Sequence, residues 1–306
     1  LSSESGEAMK ELVVISGKGG TGKTSLVASF AALADRAVIA DCDVDAADLH
    51  LVLNPVPRHQ YDFSGGKKAR IIQENCTACG LCVEHCRFEA IVYPEVAESQ
   101  SPGIPAIREV LCEGCGVCSR LCQSDAIAFE PALSGQWCVS DTRFGPLVHA
   151  RLGIAQGNSG KLVTILRQEA KKIAEHNGHD IIISDGSPGI GCPVIASLTG
   201  AHLVLVVTEP TQSGQHDLMR VTELTEYFRI PTTVCVNKWD LNEQMTSEIE
   251  TLALTKGVQS VGRVRYDSAI TRAQVDRMSV IEYTQEPVAQ DITAVWNTLQ
   301  KHLTTG

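Results

Sequence analysis

No apolar run in this 306-residue chain approaches the about 18–20 residues that a membrane-spanning helix needs. No secretory leader precedes the first predicted strand, so a cytoplasmic protein is expected. Basic residues are not in excess. The 26 Lys and Arg stand against 36 Asp and Glu, a formal net charge of −10, which argues against nucleic acid as the partner. The amphipathic segment 288–303 lacks the Lys/Arg-rich polar face of a membrane-surface helix, so core packing is expected there rather than a stable anchor. Residues 1–8, LSSESGEA, read as a disordered tail or expression remnant ahead of Met9.

Cysteine is abundant, with twelve in the chain. Nothing routes the chain to an oxidising compartment, and eight of the twelve fall in two runs of identical spacing, so metal binding is a better reading than disulfides. The protein is expected to be oxygen-sensitive.

The coarse pattern is strand, glycine-rich turn, helix, strand. KELVVI at 10–15 is an apolar strand, 24–34 has helical spacing, and AVIAD at 37–41 is a second strand ending in an acid. From 61 to 145 this rhythm gives way to Cys, Gly and Pro, with an internal repeat of period 36 that carries Cys76 to Cys112. The α/β rhythm then resumes. A helix is predicted over 159–177, with Leu162, Ile165, Leu166 and Ile173 on one side. Strands are predicted at 180–185, 203–208 and 232–237, with a helix over 212–229. These strands are almost wholly apolar, as parallel strands covered on both faces should be. The expected fold is α/β: a mostly parallel P-loop NTPase sheet with helices on both faces, plus an inserted small α+β module. The expected domains are 9–60 and 146–306 for the nucleotide-binding part and 61–145 for the insert.

Gly17-Lys18-Gly19-Gly20-Thr21-Gly22-Lys23-Thr24 fits G-x-x-x-x-G-K-[ST] between a predicted strand and a predicted helix, the context that confirms the motif. Its glycines allow successive N–H groups to turn toward phosphate oxygens, and the helix N-terminus adds its dipole. This loop, through Ser25, is the predicted nucleotide site. Lys23 is expected at the β- and γ-phosphates, and Thr24 at Mg²⁺ together with Asp185, which ends an apolar strand. Asp41, Asp43 and Asp45 follow the second strand. An acid there can orient the attacking water, or such residues can simply cap and solvate a turn, the reading preferred for Asp45. Asn237-Lys238-Trp239-Asp240 suits recognition of a base, or is an ordinary βα turn.

With Lys18 as a second lysine, the loop resembles the deviant Walker A motif of the MinD/ParA/nitrogenase-iron-protein ATPases. Asp41-Cys42-Asp43 resembles the family's switch I, and Asp185-Gly186-Ser187-Pro188-Gly189 its switch II. The resemblance covers most of 10–60 and 146–306. It implies that Lys18 reaches the partner's phosphates in a homodimer formed on ATP binding. It also implies that Asp43 is the hydrolytic acid, so that Lys18, Lys23 and Asp43 form the catalytic set, and that Asn237 contacts adenine. N-K-x-D at 237–240 is also the guanine signature of GTPases, which keeps GTP as a lesser alternative to ATP/ADP.

Cys76, Cys79, Cys82 and Cys86 form C-x₂-C-x₂-C-x₃-C, and Cys112, Cys115, Cys118 and Cys122 repeat it. This resembles the bacterial two-cluster ferredoxin pattern, whose fourth cysteine ligates the other cluster. The resemblance implies one [4Fe–4S] cluster on Cys76, Cys79, Cys82 and Cys122, and a second on Cys86, Cys112, Cys115 and Cys118. Zinc is the rival, but zinc sites favour paired knuckles over two triplets each followed by a fourth cysteine. Arg87 and Gln123 stand where that pattern usually has proline. The 25 residues from Cys86 to Cys112 are expected to form an extra hairpin or a docking surface. The whole chain resembles MinD-superfamily ATPases with an inserted ferredoxin domain, and Pro146–Val163 and Gly191-Cys192-Pro193 look like that subfamily.

Cys192 resembles the cluster-bridging cysteine of the nitrogenase iron protein. A second cysteine is missing near 146–160, so Cys192, like Cys42, Cys138 and Cys235, is expected to be a small buried hydrophobe. His149 is expected to be structural. The expected function is an ATP-hydrolysing dimer that passes electrons through its two clusters to a partner protein. The alternative is an ATP-dependent assembly or scaffold protein for metal clusters, or a MinD-like positioning factor. Both cluster sets are complete and no C-x-x-C pair is left for a transferable cluster, which favours electron transfer.

Overall fold

The structure, a computed structural model, describes residues 9–94, 103–152 and 158–305. The tail expected at 1–8 and part of the connection between Cys86 and Cys112 lie outside the described residues. Among those residues, 9–61, 136–152 and 159–305 form one compact unit, and 62–94, 103–135 and 158 form a second.

In chain order the elements begin with β1 (Lys10–Ser16), α1 (Lys23–Leu33), β2 (Ala37–Asp41), α2 (Leu49–Leu53) and β3 (Val56–Ile71). Next come α3 (Leu81–Glu84), β4 (Ile91–Val92), β5 (Ala106–Ile107) and α4 (Val117–Leu121). Then follow β6 (Ile127–Thr142), β7 (Gly145–Leu152), α5 (Ser159–Asn177), β8 (Ile181–Asp185), α6 (Cys192–Leu198), β9 (Leu203–Thr208) and α7 (Gln212–Tyr227). The chain closes with β10 (Thr232–Asn237), α8 (Glu243–Thr255), β11 (Gln259–Val264), α9 (Ser268–Val275), α10 (Val280–Tyr283) and α11 (Pro287–Thr305).

The strand order is β11-β10-β9-β1-β8-β2-β7-β6-β3. All pairs from β11 to β7 are parallel. Alternation along β1 explains the two cores. Leu12 and Val14 face one side, with α1 and α11, while Val13 and Ile15 face the other, with α6, α7 and α8. Because both faces are covered, these strands carry no polar side. The amphipathic face of α11 is in the first core, where Trp296 stacks on Phe30 at 5.4 Å. Lifting it away would expose Ile292, Val295, Trp296 and Leu299, at about 1.5–3 kcal/mol each. Among the described residues no helix is long and apolar enough to cross a membrane.

Two features differ from the sequence reading. The buried stripe of α5 is Leu162, Val163, Leu166, Ala170 and Ala174, with Ile165 and Ile173 only half-buried, because the helix packs its small residues close. The α/β part also resumes earlier than 146. The second half of β6 and all of β7 cluster with the first unit, and their join at Arg143-Phe144 is a two-residue hairpin.

In the second unit the sequence repeat is also a backbone repeat. Ala78 and Gly114 have φ of 55° and 64°, Gly80 and Gly116 of 80° and 73°, and Glu89 and Asp125 of 52° and 50°. The halves are exchanged. Ile72 N donates to Ala126 O at 2.7 Å, and 36 residues on, Arg108 N donates to Ala90 O at 2.7 Å. The segment ahead of each cysteine run is therefore bonded to the tail of the other run. Between Cys86 and Cys112 the described residues include the antiparallel pair β4–β5, with Ile91 opposite Ile107.

Candidate functional site

The P-loop joins β1 to α1, at the carboxyl end of the parallel strands where open α/β sheets bind ligands. Two of its glycines are sterically required. A Cβ on Gly17 would overlap Asp217 of α7. Gly22 has φ 86°, and a Cβ there would run into the Asn237 amide. Lys23 is buried and lies between two carboxylates, 2.5 Å from Asp185 Oδ1 and 3.4 Å from Asp43 Oδ2. Burial works against its charge, but Asp185 and Asp43 outweigh that and hold the ammonium above its ordinary value. Thr24 Oγ1 donates to Asp185 Oδ2 at 2.8 Å. P-loop lysine, hydroxyl and strand-end acid thus form one contiguous group.

Asp41 is fully buried and accepts from the backbone N–H groups of Asp43 and Leu49, both at 3.3 Å, which shapes the loop carrying Asp43. Burial, and then the charge of Asp185, raise its carboxyl well above the usual range. Asp43 is raised too, by burial, with Lys23 opposing. Asp45 is exposed. Ser187 Oγ donates to Cys42 O at 2.9 Å, and Gly189 N to Ser16 O at 2.8 Å, so the loops after β2 and β8 are tied together and to the P-loop strand.

Lys18 lies on its own chain, 3.2 Å from Ser213 Oγ and 3.3 Å from Glu209 Oε2. Glu209 also holds Lys238. Asn237 is buried. Its Nδ2 donates to Thr21 O at 2.7 Å and its Oδ1 accepts from Lys238 N at 3.0 Å, so the amide braces the P-loop. Asp240 accepts from Tyr266 N at 2.7 Å. The pocket over the P-loop is lined by Gly19 to Ser25, Asp43, Pro188 and Asn237, and by Tyr266, Asp267, Ile270, Thr271 and Gln274. Asp240 is absent from that lining. Thr21 Oγ1, in the same lining, is buried without a hydrogen-bond partner among the described residues, an orphaned donor that suits a bound anion.

The sequence reading missed Glu209, Tyr266, Thr271 and Gln274. Their available signal was position, since Glu209 follows β9 and Tyr266 follows β11 on the ligand-binding edge. Arg143, in the β6–β7 hairpin, was also missed. It donates to Leu53 O at 2.9 Å and Val52 O at 3.1 Å, and pairs with the Glu282 carboxylate at 2.6 Å.

The cysteines of the second unit surround two small pockets. Cys86, Cys112, Cys115 and Cys118 line one, and Cys76, Cys79, Cys82 and Cys122 line the other. Left-handed residues recur at 78 and 80 and again at 114 and 116, turning the backbone around each cysteine triplet in the same way. Ala78 accepts a left-handed conformation that costs roughly 1–2 kcal/mol without a glycine. Cys122 Sγ accepts from Ala126 N at 3.2 Å. Burial raises the Cys122 thiol, but Ser124 and Ala126 more than offset it and leave it below its ordinary value. Burial raises Cys82 and Cys118. Among the described residues no three His, Cys, Asp or Glu side chains converge on a point that would hold a single metal ion.

Of the remaining cysteines, Cys42 and Cys235 are buried as expected, but Cys192 is exposed and Cys138 half-buried. Cys192 opens α6 at the surface, where the loop after β8 meets solvent, rather than packing inward. His149 Nε2 lies 2.9 Å from Ser140 Oγ. Burial, with His50 and Arg151 beside it, pushes its pKa down to about 4. It does not line the P-loop pocket.

The fold is shared with known proteins. MinD of Pyrococcus horikoshii, solved with Mg-ADP, is similar over 96 % of this chain and 97 % of its own, with a TM-score of 0.57 and 16 % identity. A ParA family ATPase of Chlorobium tepidum is similar over 95 % of this chain and 99 % of its own, with a TM-score of 0.56 and 16 % identity. In sequence, an uncharacterized protein of Methanocaldococcus jannaschii is 34 % identical over 236 residues, 76 % of this chain and 79 % of that protein. A second uncharacterized protein of the same organism is 30 % identical over 99 residues, 32 % of this chain and 35 % of that protein. The CobQ/CobB/MinD/ParA nucleotide binding domain matches residues 12–280. With that span opening on β1 and carrying the P-loop and both acidic strand ends, the chain belongs to the CobQ/CobB/MinD/ParA nucleotide-binding domain family, whose MinD and ParA members are P-loop ATPases.

Proposed function

We propose that this protein is an ATP-hydrolysing switch that carries two [4Fe–4S] clusters in an inserted ferredoxin-like module and couples its nucleotide state to one-electron transfer. The observation that carries the reading is the sorting of eight cysteines into two sets of four, each made of three from one run and the fourth from the other.

Cys76, Cys79, Cys82 and Cys122 would hold one cluster and Cys86, Cys112, Cys115 and Cys118 the other. Their backbone N–H donors and soft thiolates suit an anionic sulfide-bridged group. Bound there, the clusters supply one-electron carriers. The inserted module is read as 61–145 on the sequence, with 62–135 as its compact part.

In the nucleotide pocket, Gly17 to Ser25 would wrap the phosphates and Lys23 would neutralise them, released from Asp185 and Asp43. Thr24 and Asp185, both hard oxygen donors, would hold Mg²⁺. Asp43 would then orient the attacking water. The Mg-ADP complex of the Pyrococcus horikoshii MinD supports this choice of ligand. The absence of Asp240 from the pocket lining favours ATP over GTP, because a guanine-reading carboxylate must reach the base. Lys18 would leave Glu209 and Ser213 to reach a partner subunit's phosphates in an ATP-bound homodimer. An assembly role remains the rival function, and it requires clusters that leave the chain during ATP turnover.

Anaerobic purification tests the reading. About eight irons and eight acid-labile sulfides per chain are expected, with Mg²⁺-dependent ATP hydrolysis through which the iron stays bound. Stoichiometric zinc without visible absorbance would overturn it.

A further inference from the structure

The 36-residue repeat supplies its own control, because each position around one cysteine pocket has a counterpart at the other. Among the described residues of 62–135, five large apolar side chains are exposed: Phe88 43 %, Val110 73 %, Leu111 41 %, Val117 43 % and Leu133 59 %. Four of the five gather at one pocket. Phe88 and Val117 line it with Cys86, Cys112, Cys115 and Cys118, and Val110 and Leu111 directly precede Cys112. The counterparts of Val110, Leu111 and Phe88 at the other pocket are Glu74, Asn75 and Ser124. At Val117 the repeat keeps an apolar residue, Leu81, so two pockets with the same backbone differ at three of the four positions, where one side is apolar and the other polar.

Charge follows the same division. Arg87, Arg108 and Arg120, all exposed, have Gln123, Ile72 and Glu84 as counterparts. Lys67 and Lys68 add to the basic side. Lys68 Nζ donates to Glu109 O at 2.5 Å, and Lys67 lies over the Phe129 ring that lines the same pocket. Glu89, directly after Phe88, with Glu109 and Glu113 offsets part of this charge, three acids against five cations.

An exposed apolar centre with a basic rim marks a protein-docking surface rather than ordinary solvated surface. We infer that the face around Phe88, Val110, Leu111 and Val117 docks a small acidic one-electron carrier protein, so that electrons enter and leave by the Cys86/Cys112/Cys115/Cys118 pocket. The inference rests on the iron–sulfur reading above. Charge complementarity selects the occupant. An acidic carrier is steered to this rim despite the overall charge of −10, and the apolar patch is of the small kind used in brief redox encounters. One electron leaves the reduced carrier, which becomes oxidised, and the chain's iron–sulfur group gains it. No bond or proton is exchanged.

The test uses the anaerobically purified, iron-loaded chain and a purified acidic two-[4Fe–4S] ferredoxin as probe. Affinity is read by titration of the oxidised ferredoxin, and transfer by stopped-flow with the reduced one. Exchanging the rim for its counterparts, as Val110→Glu with Leu111→Asn, is expected to weaken binding at least about tenfold. Arg87→Gln with Arg120→Glu should weaken it and flatten its salt dependence. Glu74→Ala with Asn75→Ala, at the other pocket, should change nothing. Failure of the loaded wild-type chain to bind, or equal binding by Val110→Glu/Leu111→Asn with its iron intact, overturns the docking surface alone. Self-association through this face, lost in the same variant, overturns the carrier and assigns a second copy. A chain that takes up no iron overturns the iron–sulfur reading and the docking proposal together, and the metal content reports that before any binding is measured.

Discussion

Lys23→Ala is expected to abolish tight ATP binding, while Asp43→Ala keeps binding and loses turnover by at least about a hundredfold. The two side chains touch, yet their expected phenotypes differ because their charges act on different species. Lys23 is the buried cation among Asp41, Asp43 and Asp185. Without it, Asp43 and Asp185 lose the buried cation between them, and their charge is left to oppose the phosphates. Asp43 contributes no attraction to the phosphates, so its loss spares binding and removes the group that orients water. Phosphate release at saturating ATP and titration with a fluorescent ATP analogue separate the two effects. Turnover by Asp43→Ala equal to wild type would remove Asp43 from the mechanism, and GTP outcompeting ATP would overturn the adenine assignment of Asn237.

The second large effect concerns the crossing of the cysteine sets. Cys86 closes the first run in sequence but lines the pocket of Cys112, Cys115 and Cys118. Cys86→Ala combined with Cys112→Ala therefore strikes one set and should retain about four irons per chain. Cys86→Ala combined with Cys76→Ala strikes both sets and should leave almost none. Uncrossed ligation predicts the reverse ordering, so iron analysis of two double variants decides between them. The exchanged backbone bonds, Ile72 to Ala126 and Arg108 to Ala90, are the structural reason to expect crossing.

The parts of the molecule governed by local rules were legible in its residues. Apolar runs such as LVLVVT are strands because a parallel sheet covered on both faces leaves no polar side, and the P-loop is contiguous. What escaped was set by distant partners. VPRHQYDFSGGKKARI forms the long strand β3 although it is mostly exposed and carries Pro57, Gly65 and Gly66, because pairing with β6 holds it. Arg143 looks like a turn residue until the hairpin carries it to the carbonyls of Val52 and Leu53. Glu209 looks like a capping acid until Lys18 and Lys238 meet on it. Cys192 was misjudged because burial is a tertiary property that a lone cysteine does not announce.

In the proposed function, nucleotide and clusters sense one another. The chain enters the cysteine-rich unit through β3, shortly after the loop carrying Asp43, and returns through β6 to Arg143, which grips the end of α2 behind that same loop. Loops that follow the γ-phosphate are bistable, and the strand connections give the cysteine-rich unit a route to them. Linkage then makes the effect reciprocal: if ATP shifts cluster reduction, reduction must shift ATP affinity by the same factor. The direct measurement is the affinity of the iron-loaded chain for a non-hydrolysable ATP analogue when oxidised and when reduced by dithionite, with midpoint potentials taken with and without the analogue. Affinities that differ by the factor the potential shift dictates are the predicted result; identical affinities together with identical potentials would contradict it.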